Sequence, residues 1–155
     1  MAPAPAPSAP ASPAGAKTLA LDGFGDLVIG AKVPATSSFK LRGAQASDTC
    51  LLYSSPDHPG MYAIVEGDVL RRITVARTSK VRLVEGIGVG SSEKDVLAAF
   101  PGFKAEPHEY IAAPGKYLTQ PGNDPRLRFE IGTDGKVTDM HVGMAPQLLY
   151  VEGCA

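Results

Sequence analysis

The chain has 155 residues, and its 15 basic and 16 acidic residues nearly balance. This balance gives no reason to expect a nucleic acid or an anionic membrane surface as a partner. The 17 glycines and 14 prolines, together with the absence of tryptophan, favour short strands and many turns. Two distant cysteines and three scattered histidines do not form a metal-binding motif, so the sequence predicts no metal and no cofactor.

Residues 1–16 consist almost entirely of alanine, proline and serine. Such a segment cannot build a core, so we predict a disordered linker (1–16) followed by a single domain (17–155). Removing the linker is expected to leave the melting temperature unchanged. It is similar to the spacers that follow a signal peptide or lipid anchor in envelope proteins, and we expect an export signal to precede it in the native gene. The alternative is a natural cytosolic tail.

One helix is predicted with a clear start and stop. Ser91 or Ser92 can cap its first N–H groups, Glu93 lies in the first turn, where the helix dipole favours negative charge, and Pro101 follows its end. The glycine-rich run before it lacks the third glycine of a dinucleotide-binding motif and the lysine of a P-loop. No pattern of nucleophile, base and acid is recognisable, so we do not expect an enzyme.

Alternating apolar residues between turn signals predict a mainly antiparallel β-sheet with one or two short helices, which is an α+β fold. In the clearest hairpin, Phe129 faces inward and Asp134-Gly135 forms the turn. Val69, Arg71, Ile73 and Val75 are expected to share one face of a strand. The predicted extended segments are residues 18–21, 50–53, 61–65, 69–75, 77–84, 109–112, 116–119, 127–131, 137–142 and 148–151.

The same order of elements occurs twice, which predicts two fused α/β repeats (18–84 and 85–155). Ile29-Gly30 matches Val89-Gly90 at an offset of 60, and Ile73 matches Met140 at an offset of 67. The loop at 120–126 can absorb the difference, and residues 31–41 would form the first helix. The alternative is a coincidence between ordinary hairpin patterns.

Four motifs suggest a family resemblance that covers residues 23–154. The chain resembles a group of uncharacterised bacterial secreted proteins and lipoproteins, and more remotely the tandem α/β modules of β-lactamase inhibitor proteins and the small lipoproteins of outer-membrane barrel assembly. The resemblance implies an extracytoplasmic binding module, not an enzyme. The motifs are Gly86-Ile-Gly-Val-Gly-Ser-Ser-Glu-Lys-Asp-Val96, Pro107-His-Glu-Tyr110, Lys116-Tyr-Leu118 and Val151-Glu-Gly-Cys154.

Candidate partner-binding residues come from a basic run and from tyrosines on strands, since arginine and tyrosine are common interface anchors. They are Arg71, Arg72, His108, Tyr110 and Tyr117. The alternative for the arginines is a solvated edge that discourages strand aggregation, in which case replacing Arg71 or Arg72 costs well under 1 kcal/mol. The tyrosines can equally be half-buried sheet residues.

Cys50 and Cys154 are predicted to form a disulfide, because both adjoin apolar segments that can pair in one sheet and an exported location lets the bond persist. Two separately buried thiols are the alternative. Together these features lead us to expect a protein-binding module in the periplasm or at the cell surface, such as an inhibitor or immunity protein for a secreted hydrolase. A structural lipoprotein of envelope assembly is the alternative. In either case we expect contact with a membrane only through a lipid anchor that the given sequence would have lost.

Overall fold

The computed structural model describes residues 18–43, 45, 47–76 and 78–155. The predicted linker and Arg77 of the basic run lie outside this part of the chain. The described residues form short strands, one α-helix and one 3-10 turn, in this order: β1 (Thr18–Leu19), β2 (Gly23–Phe24), β3 (Leu27–Val28), β4 (Lys40–Leu41), β5 (Cys50–Ser54), β6 (Met61–Glu66), β7 (Val69–Ala76), β8 (Arg82–Leu83), α1 (Glu93–Ala99), β9 (Lys104–Pro107), β10 (Lys116–Thr119), β11 (Arg126–Ile131), β12 (Val137–Gly143) and the 3-10 turn Gln147–Leu149.

An eight-stranded antiparallel sheet forms the centre of the fold, in the order β4-β5-β6-β7-β12-β11-β10-β9. It consists of two four-stranded meanders that meet where β7 pairs with β12. Two small pairs lie apart from it: β1 is parallel to β8, and β2 is antiparallel to β3. The predicted α+β class with a mainly antiparallel sheet is therefore confirmed.

One side of the sheet carries the hydrophobic core. A row of directly opposed residues crosses five strands on this side, and every member is buried: Leu118, Phe129, Met140, Val75 and Met61. Phe129 is fully buried, as the alternation predicted. The helix α1 begins at the N-cap Ser92, whose side chain accepts from the Asp95 N–H, and it buries Val96 in the core. The predicted helix is thus confirmed.

Each central hairpin contains a β-bulge. Ile64 pairs with Arg72 and Val65 with Leu70, so Arg71 has no opposite residue on β6. The extra residue shifts the alternation, which brings both Leu70 and Ile73 into the core. The prediction that Val69, Arg71, Ile73 and Val75 share one face was therefore wrong.

The second bulge and a set of loop hydrogen bonds have counterparts in the first half, at the offsets of 60 and 67 that were noted in the sequence. Thr138 is the extra residue of β12, 67 positions after Arg71. In the first half, Gly30 N donates to Leu70 O and Leu70 N to Ala31 O. In the second half, Gly90 N donates to Val137 O and Val137 N to Ser91 O. The offsets are again 60 and 67 (90 − 30 and 137 − 70).

The change of offset occurs mostly before β10. Leu51 and Lys116 hold equivalent places, opposite Val65 and Ile131 beside the two bulges, and they are already 65 apart (116 − 51). Five of the seven additional positions (65 − 60 and 67 − 60) thus precede β10, in the segment that contains α1, and not in the loop at 120–126.

Four predicted elements differ from the structure. Of the predicted extended segment 77–84, the strand that forms among the described residues is the short β8. Residues 31–41 form turns and β4 instead of a helix, because Pro34 has no N–H to donate and the segment buries Phe39 in the core. Residues 148–151 overlap the 3-10 turn after Pro146 and do not form a strand. Residues 109–112 are not a strand either, since the N–H groups of Tyr110 and Ile111 donate to the His108 ring; β9 pairs with β10 in their place.

The predicted disulfide is confirmed. Cys50 and Cys154 are bonded, with Cα atoms 6.0 Å apart, and the bond attaches the C-terminal segment to β5. Among the helices of the described residues, none is long and apolar enough to cross a membrane.

Candidate binding face

The side of the sheet opposite the core is polar, and we call it the polar face. Directly opposed residues point to the same side of a sheet. A single row of such residues runs from β9 to β6 on this side: Lys104, Thr119, Arg128, His141, Thr74 and Tyr62. Polar residues at every second position of β11 and β12 produce this face, and the predicted alternation of 127–131 places them there.

A chain of hydrogen bonds fixes the middle of the polar face. The Thr74 hydroxyl lies 2.7 Å from Nδ1 of His141, and His141 Nε2 lies 2.7 Å from Glu130 Oε2. The other carboxylate oxygen of Glu130 lies 2.8 Å from Nε2 of His108. Because the N–H groups of Tyr110 and Ile111 donate to His108 Nδ1, that nitrogen is an acceptor, and Nε2 is the donor to Glu130.

Electrostatics support an ionised Glu130 beside a neutral His141. Burial opposes ionisation of Glu130, but the hydrogen bonds from His141 and His108 outweigh it and lower its pKa to about 2. Burial, together with the nearby Arg72 charge, lowers the pKa of His141 to about 4. At neutral pH, His141 therefore donates from Nε2 and accepts the Thr74 hydroxyl proton at Nδ1.

The Thr74–His141–Glu130 order resembles a catalytic triad only in its residue types. Thr74 is 0% exposed, and His141 is also buried. A nucleophile must reach the atom that it attacks, and this hydroxyl is covered on all sides. The chain of bonds therefore orders the face and does not present a nucleophile to a substrate.

The Tyr117 ring packs against one cationic side chain and one aromatic side chain. The Arg128 guanidinium lies 4.0 Å from the centre of its ring, and the His108 ring is stacked at 4.4 Å. The Tyr117 hydroxyl accepts the Glu109 N–H. Burial raises the pKa of Tyr117 and lowers that of Arg128. Tyr117 thus connects the loop after β9 to the sheet and is itself buried.

Arg72 is buried, with 1% of its surface exposed. Its guanidinium donates to the carbonyl oxygens of Gln147 and Tyr150 and to the Tyr62 hydroxyl, at 3.1, 2.9 and 2.7 Å. Burial lowers its pKa. The expectation of a solvated Arg72 was wrong, because the C-terminal segment (144–155) folds over it. Arg71 is half-buried at the bulge and donates to the Glu66 carbonyl.

The C-terminal segment covers one half of the polar face. Leu148 is buried there, Gln147 donates to Glu66 of β6, and Cys154 is bonded to Cys50 of β5. At β9 the polar face has no such cover, since all four residues of this strand are exposed, whereas Tyr117, Thr119 and Arg128 on β10 and β11 are buried. A cavity of about 570 Å³ lies in this uncovered part, between β9 and Leu149 of the 3-10 turn.

Tyr110 is the most accessible of the predicted binding residues, with 60% of its surface exposed. It lies in the loop after β9, and its hydroxyl donates to the Glu152 carboxylate of the C-terminal segment. This hydrogen bond raises the pKa of Tyr110 to about 12. The same hydrogen bond joins the loop after β9 to the C-terminal segment, at the border of the part of the face that this segment covers.

The structure therefore brings Arg72, His108, Tyr110 and Tyr117 to the same face, but it leaves only Tyr110 accessible. Sequence reasoning missed Thr74, Arg128, Glu130 and His141. The signal was present, since each is a polar residue that alternates with a core residue of β7, β11 or β12. Within the described ranges, His, Cys, Asp and Glu side chains form no group that could hold a metal ion.

Comparisons of the chain with protein-family models, with curated proteins and with solved structures found no match.

Proposed function

We propose that the protein is an extracytoplasmic protein-binding module that engages a protein partner through the exposed end of its polar face, at β9 and the loop that follows it. The observation that carries this proposal is a hydrogen-bonded polar face that the C-terminal segment covers at one end and that ends in the fully exposed strand β9 at the other. A face that is already ordered before binding loses little conformational entropy when a partner docks.

The accessible residues of this region suit a protein interface. Tyr110 is exposed at its border, and Leu149 is 43% exposed beside the cavity. Tyrosines and apolar side chains surrounded by polar groups are typical anchors. The charged residues Lys104 and Glu106 lie on the exposed strand β9.

The disulfide supports the proposed location. Such bonds persist in the periplasm and at cell surfaces and are rare in a reducing cytosol. Cys50 and Cys154 are 104 positions apart, so the bond joins the last residues of the chain to the first meander. The periplasm or the cell surface is therefore the location that we propose.

We also propose that the two meanders are fused copies of one α/β unit. The equivalent bulges, and the equivalent hydrogen bonds of Gly30 and Gly90, support this. The absence of a helix in residues 31–41 means that the first copy would have lost it, while the second keeps α1.

The experiment is affinity capture from an envelope extract of the source organism. Immobilised wild type is compared with the double variant Tyr110→Ala/Leu149→Ala on the polar face, and with Val28→Ala as a matched control. Val28 is 49% exposed on β3, in the layer that covers the core side. We expect a stoichiometric partner with the wild type and the control, and its loss with the double variant.

The identity of the captured protein separates the two forms of the proposal. A single hydrolase whose activity falls in proportion to added protein supports an inhibitor or immunity role. Components of outer-membrane barrel assembly support a structural role in the envelope. Capture that is unchanged by the double variant but lost with Val28→Ala would contradict the assignment of the face.

A further inference from the structure

We propose that His108 is a pH-dependent switch: its neutral ring holds the loop at 108–115 against the sheet, and uptake of a proton at Nδ1 releases the loop. This inference rests on the proposed function, because the loop belongs to the proposed interface, and it adds a regulation of that interface by acid. The loop connects β9 to β10.

The first observation is that two main-chain N–H groups of the loop depend on one ring nitrogen. The N–H groups of Tyr110 and Ile111 donate to His108 Nδ1 at 3.0 and 3.2 Å. A neutral imidazole accepts at one nitrogen, whereas a protonated ring carries a proton on both and accepts at neither. Protonation therefore places an N–H against two other N–H groups, and both hydrogen bonds are lost together.

The second observation is that the sheet holds the other ring nitrogen. His108 Nε2 lies 2.8 Å from Glu130 Oε1, the ring is stacked on Tyr117, and the side chain is only 4% exposed. Nε2 donates to the carboxylate both in the neutral ring and in the protonated one. The ring therefore keeps its place when it is charged, and the loop is the part that moves.

Carboxylates from four parts of the fold lie on or near the ring and favour its protonated form. Glu130 of β11 is bonded to it directly. Glu106 of β9 lines a cavity of about 390 Å³ together with His108, Glu109 is the next residue of the loop, and Glu152 of the C-terminal segment accepts from the Tyr110 hydroxyl. Since a carboxylate in contact favours a charged histidine, Glu130 supports protonation of the ring in place.

The cations of this region oppose protonation, but none of those on the described residues is bonded to the ring. Lys116 of β10 lines the same cavity, and its ammonium is already in an ion pair. Arg128 of β11 lies over the neighbouring tyrosine ring. His141 of β12 binds the other oxygen of Glu130 and is uncharged at neutral pH, because burial lowers its pKa to about 4. The charge in direct contact with His108 is therefore negative.

Release of the loop changes the position of Tyr110, the accessible member of the proposed interface. Tyr110 is 60% exposed, and its bonds to His108 and Glu152 fix it at the border of the face. Without the bond to His108, a partner must order the loop as it docks, which costs conformational entropy. Binding should therefore be weaker in acid than at neutral pH.

The test follows the amide and histidine ring signals of the isotope-labelled whole chain by NMR, with the disulfide intact, from about pH 8 to about pH 5, the range in which histidines ordinarily change charge. In His108→Asn, the side-chain carbonyl can accept the same N–H groups but does not titrate. His141→Gln keeps His108 and removes the other histidine bound to Glu130. The amide of Val96, which is buried in α1, reports on the rest of the fold, and the dispersion of each spectrum checks that the variant is folded.

We expect the amide protons of Tyr110 and Ile111 to move upfield together, with the same midpoint as the His108 ring, while the Val96 amide stays in place. The movement should persist in His141→Gln and disappear in His108→Asn. Amides that do not move, that follow the His141 ring instead, or that move equally in His108→Asn overturn the switch.

The capture experiment, repeated near pH 8 and near pH 5, tests the effect on binding. The wild type should retain about tenfold less partner at the lower pH, and His108→Asn should retain equal amounts at both. Equal retention by the wild type overturns the control of binding by His108. Capture of no partner at either pH contradicts the proposed function alone, because the spectra are recorded on the protein without a partner.

Discussion

Thr74 and His141 face each other across β7 and β12, with the Thr74 hydroxyl 2.7 Å from Nδ1 of His141. They are 67 positions apart, the same spacing as the bulge residues Arg71 and Thr138. If the meanders are two copies, this pair lies where their twofold axis would cross the sheet. One contact thus joins the two halves and begins the hydrogen-bond chain that orders the polar face.

Replacing Thr74 with valine tests the value of this contact. Valine keeps the shape but leaves Nδ1 of the buried His141 without its donor, so we expect a loss of about 1–3 kcal/mol in the free energy of unfolding. Thr74→Ser keeps the hydroxyl and removes one methyl group, which should cost about 1 kcal/mol. Urea unfolding measures both. A valine variant as stable as the wild type would contradict the role of the bond.

The two neighbouring arginines should behave very differently. Arg72→Ala removes three buried hydrogen bonds and leaves their acceptors unpaired, so we expect a loss of about 3 kcal/mol. Phe129→Ala should cost about 3–5 kcal/mol, as for other core aromatics. Arg71→Ala, at a half-buried position, should cost less than about 1 kcal/mol. Equal costs for Arg71 and Arg72 would contradict the burial of Arg72 beneath the C-terminal segment.

Stability should fall as the pH falls. The pKa of His141 is about 4 in the folded state against an ordinary 6.5, so between these values the unfolded state binds the additional proton. The pKa of Glu130 is about 2 against 4.5, which extends the loss to lower pH. We therefore expect a decreasing free energy of unfolding below pH 6.5.

The His141→Gln variant isolates the first contribution. It carries no titrating group at this position, so its stability should fall less steeply than that of the wild type between pH 6.5 and 4. Urea unfolding at several pH values gives both slopes. Parallel slopes for the two proteins would show that His141 does not titrate as described.

Reducing the disulfide should release the C-terminal segment before the rest of the fold. The bond spans 104 positions, and the chain-entropy model gives about 4–5 kcal/mol for a loop of roughly that length. We expect a clear fall in melting temperature with dithiothreitol, and hydrogen exchange that rises first in residues 144–155. An intact mass that matches two free thiols, measured without reductant, would contradict the bond.

The sequence was sufficient where local chemistry decides the structure. The Ser92 cap and the acidic first turn specify α1, and the alternation around Phe129 specifies which side of β11 is buried. The disulfide followed from the apolar neighbours of Cys50 and Cys154, although the segment near Cys154 is a 3-10 turn and not the strand that was expected.

The errors arose where distant segments override local patterns. The sequence predicts a surface position for Arg72 because no neighbour in the sequence offers it a hydrogen-bond acceptor in the interior. The carbonyl oxygens that accept from it belong to Gln147 and Tyr150, near the end of the chain. The bulge at Arg71 inverts the alternation without a proline or glycine to signal it. The sequence also does not predict the hydrogen-bonded network of Thr74, Glu130 and His141. These residues lie on three different strands, and only the order of the strands in the sheet brings them together.

The most direct test of binding through the polar face is amide hydrogen exchange of the protein alone and with the captured partner. We expect slower exchange in β9, in the loop at 108–115 and in the loop at 120–126 when the partner is present, and unchanged exchange in α1 and in β2–β3. Slower exchange confined to α1 or to β2–β3, with none in β9 or in the loops at 108–115 and 120–126, would contradict the account.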